Sequence, residues 1–368
     1  MNLENFLQAV VKEKASDLYL AVGAKPSMKV DGALVNIADE LLTEDRCKSL
    51  IYQELNEVQI SEFENNLELN CALFFNDIGR FRLNLYYQKN TIGAVLRRIE
   101  DKIPELAALG VPSIVERLSM VRTGLVLVVG ATGSGKSTTL AAMIGNRNKY
   151  DTGHIVTIED PIEFIHDHQS CIVSQREVGI DTHSLQDALE NTLRQAPDII
   201  LIGEIRTKEA MEHAIHFSET GHLCLATLHA TNTSQALERI VSFFPQGNHN
   251  QIYAELSVNL SGIVAQRLVR RKGSKGRVAV MEVLLNTPAM TAHIKDGNIS
   301  EVKPLMERSG SEGMQTIDQS LFSLYQKGLI SYDDAMRAAD SENNLRLLIK
   351  LKEDKKDGGS SLDGVSIM

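Results

Sequence analysis

Gly130-Ala131-Thr132-Gly133-Ser134-Gly135-Lys136-Ser137 fits G-x-x-x-x-G-K-[ST] at every fixed position, and Thr138 follows it. The flanks decide what the stretch is. Leu125-Val126-Leu127-Val128-Val129 ahead of it is an unbroken apolar run, suited to a parallel strand buried on both faces. Thr139-Leu140-Ala141-Ala142-Met143-Ile144 behind it reads as a helix. Strand, glycine-rich turn and helix together make a P-loop. Its glycines let the backbone curl so that N–H groups face a phosphate, and the helix N-terminus adds positive potential. Lys136 would reach the β- and γ-phosphates, and the Ser137 hydroxyl would bind Mg²⁺. The expected nucleotide-binding set is therefore Gly130, Ala131, Thr132, Gly133, Ser134, Gly135, Lys136, Ser137 and Thr138.

Around this motif the composition is ordinary for a soluble globular protein. At 368 residues the chain should hold more than one domain, at about 100–200 residues each. The net charge of −10 argues against a nucleic-acid binder, which needs a basic footprint. Cys47, Cys71, Cys171 and Cys224 form no C-x-x-C, which disfavours zinc or a disulfide framework and suits a reducing cytosol. Met1-Asn2-Leu3-Glu4-Asn5 carries no basic segment leading into an apolar run, so no signal peptide is expected. No apolar run approaches the ~18–20 residues that span a bilayer, so membrane association is expected only through a partner.

Upstream, residues 1–99 read as a separate α+β domain. Leu3, Phe6, Leu7, Val10 and Val11 recur at helical spacing. Residues 17–22 suit a strand, and residues 26–35 a hairpin turning at Asp31-Gly32. Helical spacing returns over 50–63, followed by strands over 71–75, 79–86 and 93–99. Arg82 and Arg97 lie inside strands that are otherwise mostly apolar; a solvated outer strand face accounts for them as well as a function does. Pro104, Gly110 and Pro112 mark residues 100–113 as a linker, ahead of a short helix over 114–122.

Downstream, over 114–281, four more stretches close apolar runs, and ligands of open parallel sheets bind beyond the carboxyl ends of the strands. The first is Ile155-Val156-Thr157-Ile158-Glu159-Asp160-Pro161-Ile162-Glu163. Pro161 cannot donate to a ladder, so the strand should stop near Asp160. Glu159, Asp160 and Glu163 then stand at a strand exit, where a carboxylate can polarise water or join a metal shell; a solvated acidic turn is the plainer alternative. The second, Ser174 to Gly179, precedes a helix with Leu185, Leu189 and Leu193, and is not specific alone. The third, Asp198-Ile199-Ile200-Leu201-Ile202-Gly203-Glu204-Ile205-Arg206, has the form of a Walker B strand whose acid, Glu204, serves Mg²⁺. In the fourth, His222 and His229 flank one apolar strand. Their spacing matches no usual zinc pattern, so hydrogen bonding near phosphate fits better, with satisfied structural histidines as the alternative. Arg267, Arg270, Arg271, Lys272, Lys275 and Arg277 read as a hairpin with a solvated basic tip, with a contact to acidic protein or lipid headgroups as the alternative. Residues 282–349 read as a helical C-terminal subdomain, and 350–368 as a disordered tail.

Taken together, the P-loop, the Thr157–Glu163 stretch, Ile202-Gly203-Glu204 and the Thr220–His229 stretch resemble the Walker A, Asp, Walker B and His boxes of secretion-superfamily ATPases. The early Ala15-Ser16-Asp17-Leu18-Tyr19-Leu20 and Gly79-Arg80-Phe81-Arg82 are similar to the N-terminal domain of the twitching-motility branch, the PilT and PilU proteins. The resemblance covers roughly residues 3–350. It implies an α/β fold: a PAS-like α+β N-terminal domain and a RecA-like P-loop domain with a helical extension. It also implies a homo-hexameric ring that hydrolyses ATP with Mg²⁺ and powers pilus retraction from the cytoplasmic side of the inner membrane, working on an inner-membrane platform protein. By matching position Glu163 would be the catalytic carboxylate, supported by Glu159, and Glu204 the Walker B acid. His222 and His229 would respond to the γ-phosphate, and Arg82 and Arg97 would be supplied to a neighbouring subunit's site.

One departure points within the branch. PilT proteins carry an Ala-Ile-Arg-Asn-Leu-Ile-Arg-Glu-like helix, and this chain has Met290-Thr291-Ala292-His293-Ile294-Lys295-Asp296-Gly297-Asn298 there, without either arginine. With Gly313-Met314-Gln315-Thr316 and the long tail, that looks more like the PilU side and implies an accessory to a PilT-like motor. The alternatives are a pilus-extension or type II secretion ATPase, which would carry a longer N-terminal region and often four metal-binding cysteines, and a ring subunit that binds ATP with little turnover.

Overall fold

In the computed structural model, which describes residues 2–30, 32–99, 102–273 and 276–357, the chain divides into two units. The first comprises Met1–Lys102 with Glu163–Ile165, and the second Ile103–Ile162 with His166–Met368.

The first unit is built on β1 (Asp17–Ala21), β2 (Ser27–Val30), β3 (Ala33–Asn36), β4 (Glu68–Phe75), β5 (Gly79–Gln88) and β6 (Thr91–Arg98). They form an antiparallel sheet in the order β3-β2-β1-β6-β5-β4. One face packs on the helices Leu3–Lys12, Glu44–Tyr52 and Glu57–Asn66 through Phe6, Leu7, Ile51 and Phe63 against Leu18, Leu83, Leu85 and Leu96. Period-two alternation then turns Arg82 and Arg97 to the other face, where they are cross-strand partners. The helical stretch expected over 50–63 is two helices, because Asn56 and Gln59 close a capping box that starts the second. Of the expected hairpin turn, Asp31 lies outside the described residues.

The second unit holds β7 (Gly124–Val129), β8 (Gly153–Glu159), β9 (Cys171–Glu177), β10 (Ile199–Ile202), β11 (Leu223–Leu228), β12 (Leu260–Arg270) and β13 (Arg277–Leu285). The order is β13-β12-β7-β11-β10-β8-β9, parallel from β12 to β9, with β13 antiparallel at the edge. Helices lie on both faces, which is why the central strands are apolar throughout. Leu125, Leu127 and Val129 enter one core with the helices Lys208–Glu219 and Thr233–Ser242, while Val126 and Val128 enter the other with Ser113–Ser119 and Lys136–Tyr150. The four cysteines are free and buried.

Two boundaries differ from the expectation. Residues 282–285 extend β13 instead of opening the helical subdomain, because Val283 and Leu284 bury against β12; the helix Pro288–Lys295 starts only at the Thr287 cap. The last helix, Glu342–Asp357, runs past the expected start of the tail at 350, since Leu345 and Ile349 lie one turn apart and bury against Val269, Val278, Ile317 and Leu321. The remainder of that tail, 358–368, lies outside the described residues. Arg267 is not part of the basic tip. It donates to the carbonyls of Ala338 (2.8 Å) and Thr231 (3.3 Å) and pairs with Asp340, which also takes Lys303 Nζ at 3.2 Å. Arg270, Arg271, Lys272 and Arg277 are exposed, and Lys275 lies outside the described residues.

Candidate nucleotide-binding site

The register of the second sheet gathers the predicted motifs at one edge. Val129 pairs with Leu228 and Ala265, and Ile202 with Ala226 and Ile158. Continuing along each strand, Gln266, Gly130, His229, Glu204 and Asp160 follow at the carboxyl ends, where an open parallel sheet binds its ligands.

The P-loop is shaped by contact as much as by glycine's freedom. A Cβ on Gly130 would stand 2.4 Å from Ser134 Oγ and 2.5 Å from the Gln266 carbonyl oxygen. One on Gly135 would meet Gln266 Nε2 at 2.8 Å, and Gly135 has φ of +87° besides. Helix Lys136–Tyr150 opens from Gly135, which has no side chain to cap it. Lys136 Nζ folds back over the loop and donates to the carbonyls of Gly130 (2.9 Å) and Ala131 (3.1 Å). Ser134 Oγ is buried with no hydrogen-bond partner. An orphaned hydroxyl, an uncapped helix start, a lysine lying on the loop and two positions closed to any side chain fit a polyphosphate group.

Glu204, beyond β10, is held on both oxygens. His229 Nε2 stands 2.8 Å from Oε1 and Arg206 reaches Oε2 at 2.6 Å. The hydrogen bond to Glu204 is the main reason the Arg206 guanidinium is pushed above its ordinary range. Thr227 Oγ1 donates to the Gly203 carbonyl at 2.5 Å and ties the two strand ends together. On β8, Glu159 Oε1 accepts from Thr157 Oγ1 (2.7 Å) and from Gln175 Nε2 of the neighbouring β9 (3.2 Å). Buried Glu282 of β13 accepts from both the N–H and the hydroxyl of Thr233 at 2.7 Å, anchoring the helix that follows His229.

His222 stands elsewhere. It precedes β11, with Nδ1 by Thr220 Oγ1 (3.0 Å) and the Phe217 carbonyl (3.2 Å), and its own carbonyl accepts from Gly124 N. A strand of this length separates it from His229 by roughly 20 Å. Two histidines so near in sequence are placed at opposite ends of one strand, and the structure does not bring His222 to the P-loop of its own chain. In the first unit Arg97 Nε donates to Asp17 Oδ1 at 2.8 Å; Asp17 is nearly buried while the arginine side chain is 68% exposed. That bond is the main cause of the raised Arg97 pKa, with smaller contributions from Tyr19 and Glu163. Arg82 lies beside it across β5 and β6. Sequence reasoning did not single out Gln266 and gave Arg206 no role of its own, since neither a glutamine in a strand nor an arginine past a Walker B acid stands out without the sheet register.

A model of the family described as Type II/IV secretion system protein matches residues 2–337. The chain belongs to that family. Among its relatives in the Type II/IV secretion family is the Type IV pilus ATPase PilU of Pseudomonas aeruginosa, 53% identical over 100% of this chain and 97% of that protein. The Type IV pilus retraction ATPase PilT of the same organism is 40% identical over 94% of this chain and 100% of its own length. A crystal structure of the pilus retraction motor PilT with bound ADP superposes with a TM-score of 0.89 at 38% identity, over 94% of this chain and 99% of that one. The fold is therefore that of a secretion-family ATPase, with an α+β N-terminal unit and a RecA-like P-loop unit, in the PilT/PilU branch and on the PilU side. No described helix is long and apolar enough to cross a membrane.

Proposed function

We propose that this chain is an ATPase motor of the type IV pilus that powers or assists retraction and twitching motility, as an accessory to a PilT-like motor. The observation that carries this is the convergence of a phosphate-shaped P-loop with the Glu204–His229 pair at one sheet edge, in a chain 53% identical to a pilus ATPase. Lys136 and the backbone N–H groups of the loop bind the phosphates of ATP. Ser137 and Glu204 would hold Mg²⁺, which when bound would neutralise phosphate charge. Glu163 orients the attacking water and His229 responds to the γ-phosphate, while Glu159 supports the strand exit. Arg82 and Arg97 are presented to a neighbouring subunit's site in a homo-hexameric ring. His222 receives no role at the phosphates. The ring sits in the cytoplasm at the inner membrane, held there by the pilus platform protein. Domain limits near residues 99 and 113 serve this reading, with β13 closing the ATPase core at Leu285 and the last helix running on to Asp357.

Deletion of the gene in cells that keep a PilT-like motor tests it. Loss or weakening of retraction force, restored by the wild-type gene and not by a Lys136→Ala copy, is the expected result. Unchanged retraction and twitching would overturn it.

A further inference from the structure

Gln266 lies in β12, 3% exposed, at the point where the strand passes the P-loop. Its side-chain amide makes two hydrogen bonds. Nε2 donates to the Ser134 carbonyl at 2.8 Å, and Oε1 accepts from Thr139 Oγ1 at 2.7 Å. A carbonyl can only accept, so the amide has one orientation, which makes the Thr139 hydroxyl the donor. Thr139 is itself 1% exposed and sits in the first turn of the helix, its N–H bonded to the Gly135 carbonyl at 3.0 Å. Gln266 therefore clips the loop to the start of the helix.

The consequence is directional. A peptide unit is planar and trans, so the Ser134 carbonyl and the Gly135 N–H point in opposite directions. Holding that carbonyl toward β12 turns the Gly135 N–H away from β12. Released, the same peptide can rotate and present an acceptor oxygen where a phosphate needs a donor. A Cβ on Gly135 would meet the Gln266 side chain, and one on Gly130 the Gln266 backbone carbonyl and Ser134, so β12 runs close against the loop at both positions.

We propose that Gln266 is a positioning residue for the nucleotide phosphates: it orients the Ser134–Gly135 peptide of the P-loop through the Gln266–Thr139 clip. The inference rests on the ATPase reading above. The test measures binding of a fluorescent ADP analogue with Mg²⁺ to the full chain, well below its melting temperature. Gln266→Leu removes both bonds, Gln266→Glu puts a carboxylate against the Ser134 carbonyl, and Thr139→Val removes the hydroxyl while Thr139→Ser keeps it. Gln266→Leu and Gln266→Glu are expected to raise the Kd about tenfold, as two buried hydrogen bonds allow. Thr139→Val is expected to raise it by a smaller factor, and Thr139→Ser to return it close to wild type. A purely structural clip would lower the melting temperature and leave the Kd of the folded protein unchanged, which would overturn the inference. Should Gln266→Leu fail to fold, equal affinities for Thr139→Val and Thr139→Ser overturn it instead. Lys136→Ala separates the two readings. If that variant loses ADP while the Gln266 variants bind like wild type, only the present inference falls. If wild type itself binds no ADP, both fall.

Discussion

His229 Nε2 and Glu204 Oε1 stand 2.8 Å apart beyond the ends of two neighbouring parallel strands. Nothing local in the sequence joins them; the β10–β11 register does. With Arg206 on the other oxygen, the Glu204 carboxylate is fixed in direction from both sides. Both carboxylate oxygens are thus engaged at the carboxyl end of the sheet. Glu204→Gln is expected to keep ADP affinity within a few-fold and to cut phosphate release by about 10²-fold or more, the scale of losing one preorganised charge-stabilising group. Wild-type turnover in that variant would remove Glu204 from the chemistry.

Arg97 offers a test of shared sites. An arginine donated in trans can be worth about 10³–10⁵ in rate in P-loop enzymes. Its bond to Asp17 leaves the side chain mostly exposed. Arg97→Ala alone and Lys136→Ala alone should each abolish most ATP hydrolysis, and rings assembled from a mixture of the two should regain part of it. In such rings a Lys136→Ala subunit lends its Arg97 to the intact P-loop of an Arg97→Ala neighbour. Co-assembled rings with no recovery at any ratio would show that Arg97 serves its own chain or none.

How much of this was legible beforehand depended on whether the signal was local. The P-loop is a fixed spacing of residue types inside a strand–helix context, and it is found where it was read. The apolar runs of β7, β10 and β11 announced a parallel sheet because both faces of those strands are buried. His222 and His229 look like one compact box in the sequence, while a strand carries its two ends apart. Gln266 was invisible because it matters only through contact with Ser134 and Thr139, which a parallel crossover brings from far along the chain. The helix beyond 350 was missed because charged residues there mask the Leu345–Ile349 stripe that anchors its start.

The C-terminal helices hang on Asp340. Its side chain is 12% exposed and pairs with both Arg267 and Lys303, and its N–H donates to Asp318 Oδ1 at 2.9 Å. Asp340→Ala leaves two partly buried cations without an anion, and a loss of about 1–3 kcal/mol is expected by chemical denaturation. A midpoint equal to wild type would mean that the network contributes nothing net.

His166 sets an acid limit. Burial pushes its imidazole down to about 4. The unfolded chain takes up the proton near 6.5, so the folded state is favoured above that pH, and this advantage is lost as pH falls from 6.5 through 4. At ~1.4 kcal/mol per pH unit the loss approaches about 3 kcal/mol. In urea titrations His166→Leu should lose less stability than wild type between pH 7 and 4; parallel profiles would contradict the assignment.

Steady-state phosphate release from purified protein with Mg-ATP bears most directly on the whole account. The expected result is release that needs Mg²⁺, disappears in Lys136→Ala, and falls by about 10²–10⁴-fold in Glu163→Gln while that variant still binds nucleotide. Release that is absent in the wild-type protein, or that survives unchanged in Lys136→Ala, would contradict it.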